Sequence, residues 1–417
     1  MRRLSRHRLL VFLAVVGPGI ITAAADNDAG GVITYTQAGA KYRYDLLWVI
    51  VVITFALAMI QEMCARMGVV TQKGLGELIR ENFGVKWTMF ALGTLLVANL
   101  ATTVAEFAGI AVSLEIMGLP RHLTVPVAAI VIWLLVVKGT FKVVEKVFMA
   151  LMVLYATYVI SGILAHPNWA EVFHSIYHPE FKPVNASPQF LFLAIAVIGT
   201  TITPWMQFFL QATVVDKGIR LDDYGYQKLD VFVGSLMTDV VSFFIIVAAA
   251  AMIYDVHRGP VSINNAAEAA AALRPVAHGF AEKLFAIGLL GASMLAAAVV
   301  PLSTAYTYSE AFGWEIGVSR KLNEAHAFYG IYTFSILFGA TVVLMPSMHL
   351  VNTMINAQAV NGILLPVILV FMLKLINRKD VMGNHTNSRV YNVAVWAMVI
   401  VLILMTAGWL VGLALGY

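Results

Sequence analysis

Long apolar stretches recur along almost the whole chain and are separated by short polar connections. A helix needs roughly 20 apolar residues to cross a bilayer, and eleven stretches approach or exceed that length. No Gly/Ser-rich linker or soluble domain separates them, so the pattern predicts an all-α polytopic membrane protein with a single transport domain over residues 1–417. The predicted spans are 9–38, 45–68, 87–114, 123–138, 146–165, 189–214, 229–254, 281–311, 327–346, 350–374 and 391–416.

The first predicted span is interrupted by acids and glycines at its middle. It reads GPGIITAAADNDAGGVITYTQAGA from Gly17 to Ala40, with Asp26, Asp28 and the adjacent Gly30 and Gly31 at the centre. Charged side chains at that depth are costly and normally face a cavity or a partner. Unwound backbone is tolerated there only where it lines protein or water. The interruption therefore predicts a broken helix that carries an ion-binding site.

The sixth predicted span contains a second break. Phe190 to Val215 reads FLFLAIAVIGTTITPWMQFFLQATVV, in which Pro204 removes a backbone donor and clashes with the preceding turn. Paired breaks at the first and sixth positions indicate a five-plus-five inverted repeat with the substrate between the repeats. We place repeat one at about 9–165, repeat two at about 189–374, and an accessory eleventh helix at 391–416.

Composition and charge support a membrane protein and suggest its orientation. Of the 417 residues, 60% are hydrophobic and 12% are charged. The basic N-terminus lacks a clear cleavage site, and the single Cys64 excludes an internal disulfide framework. Most of the 27 Lys and Arg residues fall on one side if the N-terminus is cytoplasmic. We predict a multi-pass protein of the plasma membrane, the inner membrane in a bacterium, with the C-terminus outside.

The longest outer connection, 255–280, contains the Ala-rich run NNAAEAAAALRP. Alanine is the strongest helix former, and proline cannot continue a helix. This run predicts a short surface helix that ends near Pro275.

The two breaks together offer oxygen atoms to a cation. The candidate donors are the carboxylates of Asp28 and, with less support, Asp26, the Thr203 hydroxyl, and unwound carbonyls near Ala25 and Thr200. Oxygen-only ligation favours Mg²⁺, Ca²⁺ or Mn²⁺ over softer transition metals. The last turn of each first half-helix also presents the negative end of its dipole.

Mg²⁺ gives up its bound waters reluctantly, so its site must have room for them. Gly30 and Gly31 lack side chains, and we expect them to leave that room. No sulfur is placed firmly at the site, because Met206 lies three residues beyond Thr203. The residues therefore favour a largely hydrated Mg²⁺ ion.

Several motifs resemble those of the Nramp (natural resistance-associated macrophage protein) divalent-metal transporters. They are the GPG start and TQAGA end of the first span, QEMCARMGVV and GLGEL after the second, AEFAG in the third, and LFAIGLLGAS in the eighth. The resemblance covers nearly the whole chain. It implies the LeuT-like fold, with a 5+5 inverted repeat, broken helices 1 and 6, and an eleventh transmembrane helix.

The departures from the family pattern bear on the ion. Asp28-Ala29-Gly30-Gly31 stands where the family has Asp-Pro-Gly-Asn, and Thr203-Pro204-Trp205 stands where it has Met-Pro-His. The third span reads Thr-Thr-Val-Ala-Glu up to Glu106, where Thr-Asp-x-Ala-Glu is usual. This combination resembles the Nramp-related magnesium transporter branch, which implies Mg²⁺ transport without proton coupling. The resemblance implies a metal site formed by Asp28, Thr203, the carbonyls of Ala25 and Thr200, Gly31 at the lost Asn position, and Gln358, which closes over the ion.

The acids and hydroxyls of the site have alternative roles. Asp28 could simply cap the second half-helix, since Asp is a favoured N-cap. Asp26 lies about 200° around a helix from Asp28 and could be a structural acid. The Thr203 hydroxyl could bond a carbonyl that Pro204 leaves free. Asp239, an acid inside the seventh span, could be structural or line a secondary water path.

The remaining candidates for the ion path or gate have alternatives as well. Gln207 and Gln211 share one helix face and could line a hydrated path or join helices by hydrogen bonds. Gln358 could serve interhelical packing, and Glu106 could be a structural acid instead of a functional one. Trp205 is interpreted as a wall or gate, not as a ligand.

The sequence predicts a secondary transporter that takes up divalent ions, most of all hydrated Mg²⁺ and also Mn²⁺, by alternating access. Its expected partners are the ion and the lipid bilayer, with no cofactor, no nucleic acid and no obligate protein partner. One alternative is a proton-coupled Mn²⁺/Fe²⁺ symporter of the ordinary Nramp type; another is a sodium-coupled amino-acid symporter, whose carboxylate substrate Asp28 would repel. No paired nucleophile and base or HExxH motif suggests an enzyme.

Overall fold

We describe the fold from a computed structural model, which defines residues 17–138, 156–180, 187–274, 280–318 and 320–415. Helices dominate these residues, together with a 3₁₀ turn at Leu221–Asp223, a π-helical turn at Ala250–Tyr254 and a 3₁₀ turn at Ala270–Leu273. The α-helices are α1 (Pro18–Asp26), α2 (Ala29–Tyr42), α3 (Leu47–Thr71), α4 (Leu75–Ile116), α5 (Arg121–Lys138), α6 (Ala156–Leu164), α7 (Trp169–Tyr177), α8 (Pro188–Thr201), α9 (Pro204–Asp216), α10 (Tyr224–Ala249), α11 (Asp255–His257), α12 (Ala266–Ala269), α13 (Ala281–Phe312), α14 (His326–Val343), α15 (Leu350–Ile376), α16 (Lys379–Met382) and α17 (Arg389–Ala414).

Nine helices within the described residues are long and apolar enough to cross a membrane. The sixth predicted span is present as α8 followed by α9. The first is present as α1 followed by α2, although 9–16 lie outside the described residues. The fifth is described only from residue 156 onward, as α6. The remaining predicted spans each correspond to one long helix.

The third predicted span, 87–114, lies in the part of α4 that follows a kink. Helix α4 runs from Leu75 to Ile116. Its backbone leaves helical geometry at Gly84, where φ is 76° and ψ is 176°. A residue with a Cβ rarely adopts this φ, so glycine allows the helix to change direction there. The segment before Gly84 is helical, although the hydrophobic pattern assigned it to a connection.

The broken helices lie at the centre of the molecule. Helix α10 packs against α1, α2 and α3, while α4 packs against α13 and α15, and α8 packs against α15. Helix α17 lies at the periphery, with only Val395, Val399 and Leu402 buried along its length. Large apolar side chains such as Leu404 remain 65% exposed there. An apolar exposed surface of this kind suits contact with lipid.

The start of α1 is held by an acid on α10. Asp230 accepts hydrogen bonds from the backbone N–H groups of Gly17 at 3.1 Å and Gly19 at 2.6 Å, and from the Gln227 amide at 3.1 Å. These N–H groups have no partner within α1, so the carboxylate satisfies the first turn. The contact fixes the first half of the first broken helix against α10.

The Ala-rich run between residues 264 and 275 differs from the expected surface helix. One α-helical turn at Ala266–Ala269 leads directly into a 3₁₀ turn at Ala270–Leu273. Ala269, Ala270, Ala272 and Leu273 are each 0% exposed, so the run packs into the protein. Alanine's short side chain allows this close approach, and Pro275 lies outside the described residues. Just before the Ala-rich run, the Val261 N–H donates to the Ala40 carbonyl at 2.9 Å and holds this connection against α2.

Candidate functional site

Both breaks contain extended backbone between two half-helices. Asn27 and Asp28 separate α1 from α2, and Asp28 has φ −73° and ψ 176°. Ile202 and Thr203 separate α8 from α9, and Thr203 has φ −74° and ψ 143°. The residue before a proline avoids helical geometry, which accounts for Thr203. The pair of interrupted helices predicted from the sequence is therefore present.

Asp28 lies between both half-helices and the tenth predicted span. Its carboxylate accepts a hydrogen bond from Gly31 N–H at 2.5 Å, which makes it the N-cap of α2. Gln358 on α15 donates to the two carboxylate oxygens at 3.1 and 3.0 Å. Asp28 is 1% exposed. The capping role considered as an alternative is thus real, and it leaves the carboxylate facing the space between the breaks.

Three oxygen atoms converge beside Gly31. A methyl group at this position would lie 2.8 Å from Thr200 Oγ1, 3.1 Å from Asp28 Oδ1 and 3.5 Å from the main-chain oxygen of Asp26. Thr200 Oγ1 is buried and has no hydrogen-bond partner among the described residues. The hydroxyl of Thr200 therefore faces this pocket, whereas the sequence reading considered only its carbonyl.

The predicted carbonyl donors lie at helix ends. Ala25 is in the last turn of α1 and Thr200 is in the last turn of α8. Carbonyls in a final turn lack a partner within their own helix. Asp26 ends α1, and its main-chain oxygen is the one beside Gly31. The ligand roles of the Ala25 and Thr200 carbonyls stay predictions.

Gly30 does not leave the open space expected of it. A methyl group there would lie 2.1 Å from Gln358 Nε2, so the Gln358 amide already occupies that side of the helix. Both glycines are therefore closely packed, with the Gln358 amide against Gly30 and oxygen atoms around Gly31. The packing at Gly30 depends on a contact between α2 and α15, which no local pattern reveals.

Thr203 is fully buried, and its hydroxyl has no hydrogen-bond partner among the described residues. It therefore does not bond the carbonyl freed by Pro204, which was the alternative role. The adjacent Trp205 is also fully buried, and its carbonyl accepts a hydrogen bond from Ser303 on α13 at 3.0 Å. The Met206 sulfur accepts a hydrogen bond from Gln61 at 3.7 Å, so it is engaged with α3.

Glu106 on α4 lies against Asp28. Its Oε2 accepts a hydrogen bond from Ala29 N–H at 3.2 Å, and its carboxyl group hydrogen-bonds with that of Asp28. Two facing carboxylates repel unless a proton or a cation lies between them. The structure thus brings Glu106 to the site, while the sequence reading left its role undecided.

Gln207 and Gln211 connect α9 to neighbouring segments. Gln207 donates to the Thr203 carbonyl at 3.0 Å, and its own oxygen lies 3.9 Å from the Cys64 sulfur. Gln211 donates to the Lys73 carbonyl at 2.8 Å. The Gln211 bond joins two segments, as in the alternative to a water path, whereas the Gln207 bond stays within the second break. The ion-path roles of both residues stay predictions.

A second amide supports Gln358 from behind. Asn361 donates to Gln358 Oε1 at 2.9 Å and to the Thr102 hydroxyl at 2.9 Å. The oxygen of Gln358 is therefore turned toward Asn361 and its NH₂ group toward Asp28. The sequence reading missed Asn361, although its spacing of three residues from Gln358 places both on one helix face.

Asp26 points away from Asp28. Its Oδ2 accepts a weak hydrogen bond from the Thr238 hydroxyl on α10 at 3.5 Å, and its side chain is 1% exposed. Asn27, which the sequence reading did not single out, donates to Thr238 Oγ1 at 2.7 Å. Within the described ranges, no group of three or more His, Cys, Asp or Glu side chains is arranged to hold a resident metal.

Apolar helices around two broken helices with a buried, oxygen-lined pocket define a multi-pass membrane transporter. Residues 19–412 match the family model described as natural resistance-associated macrophage protein-like. The chain therefore belongs to the Nramp family, and it is a membrane transporter and not an enzyme. Metal ions are substrates of this family, not cofactors.

Individual relatives agree with this assignment. The chain is 26% identical over 412 residues to the divalent metal cation transporter MntH of Deinococcus radiodurans, covering 95% of this chain and 88% of that protein. It resembles a crystal structure of the Eremococcus coleocola manganese transporter with a TM-score of 0.76 at 22% identity, covering 94% and 85% of the two chains. It also resembles MhsT in complex with L-phenylalanine, with a TM-score of 0.60 at 13% identity and coverage of 94% and 98%. The fold is thus LeuT-like.

Proposed function

We propose that this chain mediates uptake of largely hydrated Mg²⁺, and also of Mn²⁺ as a less preferred ion, by alternating access and without proton coupling. As a member of the Nramp family it is a divalent metal cation transporter. The finer assignment places it in the Nramp-related magnesium transporter branch. It rests on which atoms line the space between the two breaks.

One observation carries the proposal. Gly31 is surrounded by oxygen atoms of Thr200, Asp28 and Asp26, and the Thr203 hydroxyl in the second break is buried without a partner among the described residues. A site made only of oxygen favours hard cations, whereas thioethers and imidazoles favour softer metals. The only sulfur in the neighbouring turn, that of Met206, is bonded by Gln61. We therefore expect Mg²⁺ to be preferred.

The Asp28 carboxylate supports a hydrated ion. Mg²⁺ usually keeps several of its waters and is held by one or two carboxylates. Asp28 supplies one carboxylate, and the absence of a side chain at residue 31 lets the oxygen atoms of Asp28 and Thr200 approach each other closely. We assign Asp28 and Thr203 as ligands, direct or through water, with the carbonyls of Ala25 and Thr200 and the amide of Gln358 around the ion.

Neighbouring positions offer few groups that could carry a proton with the ion. Trp205 stands where the family has His, and it has no titratable group. Thr103 stands where the family has Asp, and its hydroxyl donates to the Asn99 carbonyl at 2.7 Å. Net movement would then follow the ion gradient and the membrane potential. Two charges crossing 100 mV gain about 4.6 kcal/mol.

A proton-coupled Mn²⁺ symporter is the second candidate, because one observation favours it. The Glu106 carboxyl group lies against that of Asp28, so a bound cation could displace a proton from this pair. The two candidates differ in one measurable quantity, which is the number of protons moved per metal ion.

We further propose that the chain is one membrane domain of the plasma membrane, with the N-terminus cytoplasmic and the C-terminus outside. The charge distribution of the connections supports this orientation. The two repeats and the accessory helix α17 keep the bounds given from the sequence. Lipid is the expected partner of the exposed apolar faces, and no obligate protein partner is expected.

Purified protein in liposomes tests the proposal. Mg²⁺ and Mn²⁺ uptake should be driven by a negative-inside potential, without acidification of the lumen. Asp28→Ala should abolish uptake of both ions, whereas Asp380→Ala, at an exposed inner connection, should leave it unchanged. Acidification in fixed ratio to metal entry would select the symporter, and full uptake by Asp28→Ala would refute the site.

A further inference from the structure

A second pair of buried acids lies beside the site, between α1 and α10. Asp26 is 1% exposed and Asp239 is 2% exposed, and their carboxylates interact electrostatically. Among the described residues, Asp26 Oδ1 and both oxygens of Asp239 have no hydrogen-bond partner. A weak bond from Thr238 reaches Asp26 Oδ2, and the Thr54 hydroxyl interacts with Asp239. Three of the four carboxylate oxygens are thus buried without a hydrogen bond of ordinary geometry.

The groups around this pair are neutral and rich in oxygen. Ser242 donates to the Asn27 side-chain oxygen at 3.2 Å, and the Tyr35 hydroxyl, which shares a hydrogen bond with Thr201 at 2.8 Å, interacts with both acids. The Thr54 hydroxyl lies near Asp239 but donates to the Ile50 carbonyl at 2.8 Å. None of the described ion pairs brings a Lys, Arg or His to Asp26 or Asp239.

Another acid on the same helix shows how the chain satisfies a buried carboxylate. Asp230 is also 1% exposed, yet its two oxygens accept hydrogen bonds from Gly17, Gly19 and Gln227. A buried charge without such partners costs several kcal/mol, so it normally binds a counter-ion. Asp239 and Asp26 lack such a set of partners and interact electrostatically with each other. The difference indicates that their partner is a ligand.

We propose that Asp26 and Asp239 form a second binding site for a divalent cation, next to the Asp28 site. Two carboxylates balance the charge of one divalent ion, and the surrounding hydroxyl and amide oxygens suit a hard cation such as Mg²⁺ or Mn²⁺. This inference rests on the proposed function, because it treats the second ion as transported substrate.

The two sites share one residue. The main-chain oxygen of Asp26 faces the Gly31 pocket, while its side chain faces α10. The main-chain oxygen and the carboxylate of Asp26 thus link the two proposed sites.

Equilibrium binding of Mn²⁺ to the purified full chain at neutral pH tests the inference. We expect two ions per wild-type molecule and one per molecule of either Asp239→Asn or Asp28→Ala. Asp230→Asn, a change of the same chemistry at an equally buried position on α10, should keep two. If Asp239→Asn does not purify, Asp26→Asn replaces it. One ion per wild-type molecule, or two per Asp239→Asn molecule, would overturn the inference.

Crystals of the wild-type protein soaked in Mn²⁺ give a second readout that needs no variant. A peak of anomalous scattering between Asp26 and Asp239, besides one at Asp28, would support the second site. A single peak at Asp28 would overturn it while leaving the proposed function intact. Absence of Mn²⁺ and Mg²⁺ binding altogether would instead refute the proposed function.

Discussion

The side-chain NH₂ group of Gln358 donates to both carboxylate oxygens of Asp28, at 3.1 and 3.0 Å, across 330 residues of sequence. This contact joins the first and second repeats directly at the candidate ion site. Because Asn361 holds the oxygen of the same amide at 2.9 Å, Gln358 must turn over before that oxygen can face an ion. Binding of an ion at the proposed Asp28 site would thus require a rearrangement on α15.

The first prediction concerns this pair of amides. Gln358→Leu and Asn361→Leu should lower the melting temperature of the purified protein by amounts that do not add, because either change removes the same bond. Contacting residues show coupling of about 0.5–3 kcal/mol, while distant ones add within about 0.5 kcal/mol. Asn82→Ala is the matched control, since Asn82 donates only to Leu78 of its own helix. Additive effects of Gln358→Leu and Asn361→Leu would contradict the described geometry.

A second prediction tests the space beside Gly31. The added methyl group of Gly31→Ala would meet Thr200 Oγ1 at 2.8 Å and Asp28 Oδ1 at 3.1 Å, so it displaces oxygen atoms that the proposed site uses. Mg²⁺ uptake into liposomes should fall about tenfold or more, equivalent to about 1.4 kcal/mol. Gly93→Ala on α4 is the control, because no atom lies within 4 Å of the new group. Normal uptake by Gly31→Ala would show that the ion does not use these oxygen atoms.

The third prediction concerns selectivity at position 203. Thr203→Met introduces a thioether between the breaks, and soft ligands favour soft metals, so Cd²⁺ binding should strengthen relative to Mg²⁺. Thr203 is fully buried, and the larger side chain costs about 1–3 kcal/mol in packing. Calorimetry should therefore compare it with Thr203→Leu, which adds similar bulk without sulfur. Equal Cd²⁺ affinities for the two variants would place the origin of selectivity elsewhere.

Asn at position 31 is a second, less direct test of selectivity. The family has Asn at this position, so Gly31→Asn would be expected to supply the missing side-chain ligand. Even its Cβ would press on Thr200 and Asp28, so the neighbours must first move. We expect Gly31→Asn alone to lower uptake of both Mg²⁺ and Mn²⁺, as Gly31→Ala does.

A fourth prediction concerns the ion pair near the C-terminal end of α3. Arg66 pairs with Glu62 at 3.2 Å and donates to Asn387 at 2.5 Å, while the Tyr224 hydroxyl also donates to Glu62. Glu62 is 2% exposed, so Arg66→Ala leaves a buried charge without its counter-charge and should cost about 3–5 kcal/mol. A clear drop in melting temperature is expected.

The control for Arg66 is an exposed pair of the same type. Arg378 and Asp380 form an ion pair at 2.5 Å in which the Asp380 side chain is 64% exposed. Exposed ion pairs contribute little, so Arg378→Ala should leave the melting temperature nearly unchanged. Equal changes in melting temperature for Arg66→Ala and Arg378→Ala would mean that Glu62 is hydrated and that the C-terminal end of α3 is open to water.

The sequence by itself determined the class of the protein and the positions of its two breaks. Apolar length sets which segments can span a bilayer, and Pro204 and the acids and glycines around Asp28 favour a break at their positions. These properties belong to a few adjacent residues, so they can be read without knowing the packing. The same holds for Trp205 and Thr203, whose identities decide the chemistry that the site can offer.

Only the tertiary structure decided how those residues are used. It turned the Asp26 side chain toward Asp239, filled the space at Gly30 with the Gln358 amide, and buried the Ala-rich run expected at the surface. Each of these outcomes depends on how one helix is rotated and seated against another. Hydrophobic periodicity in uniformly apolar spans does not specify that rotation, because every face of such a helix is apolar. The partners of Asp28 and Asp26 therefore came from packing between distant segments.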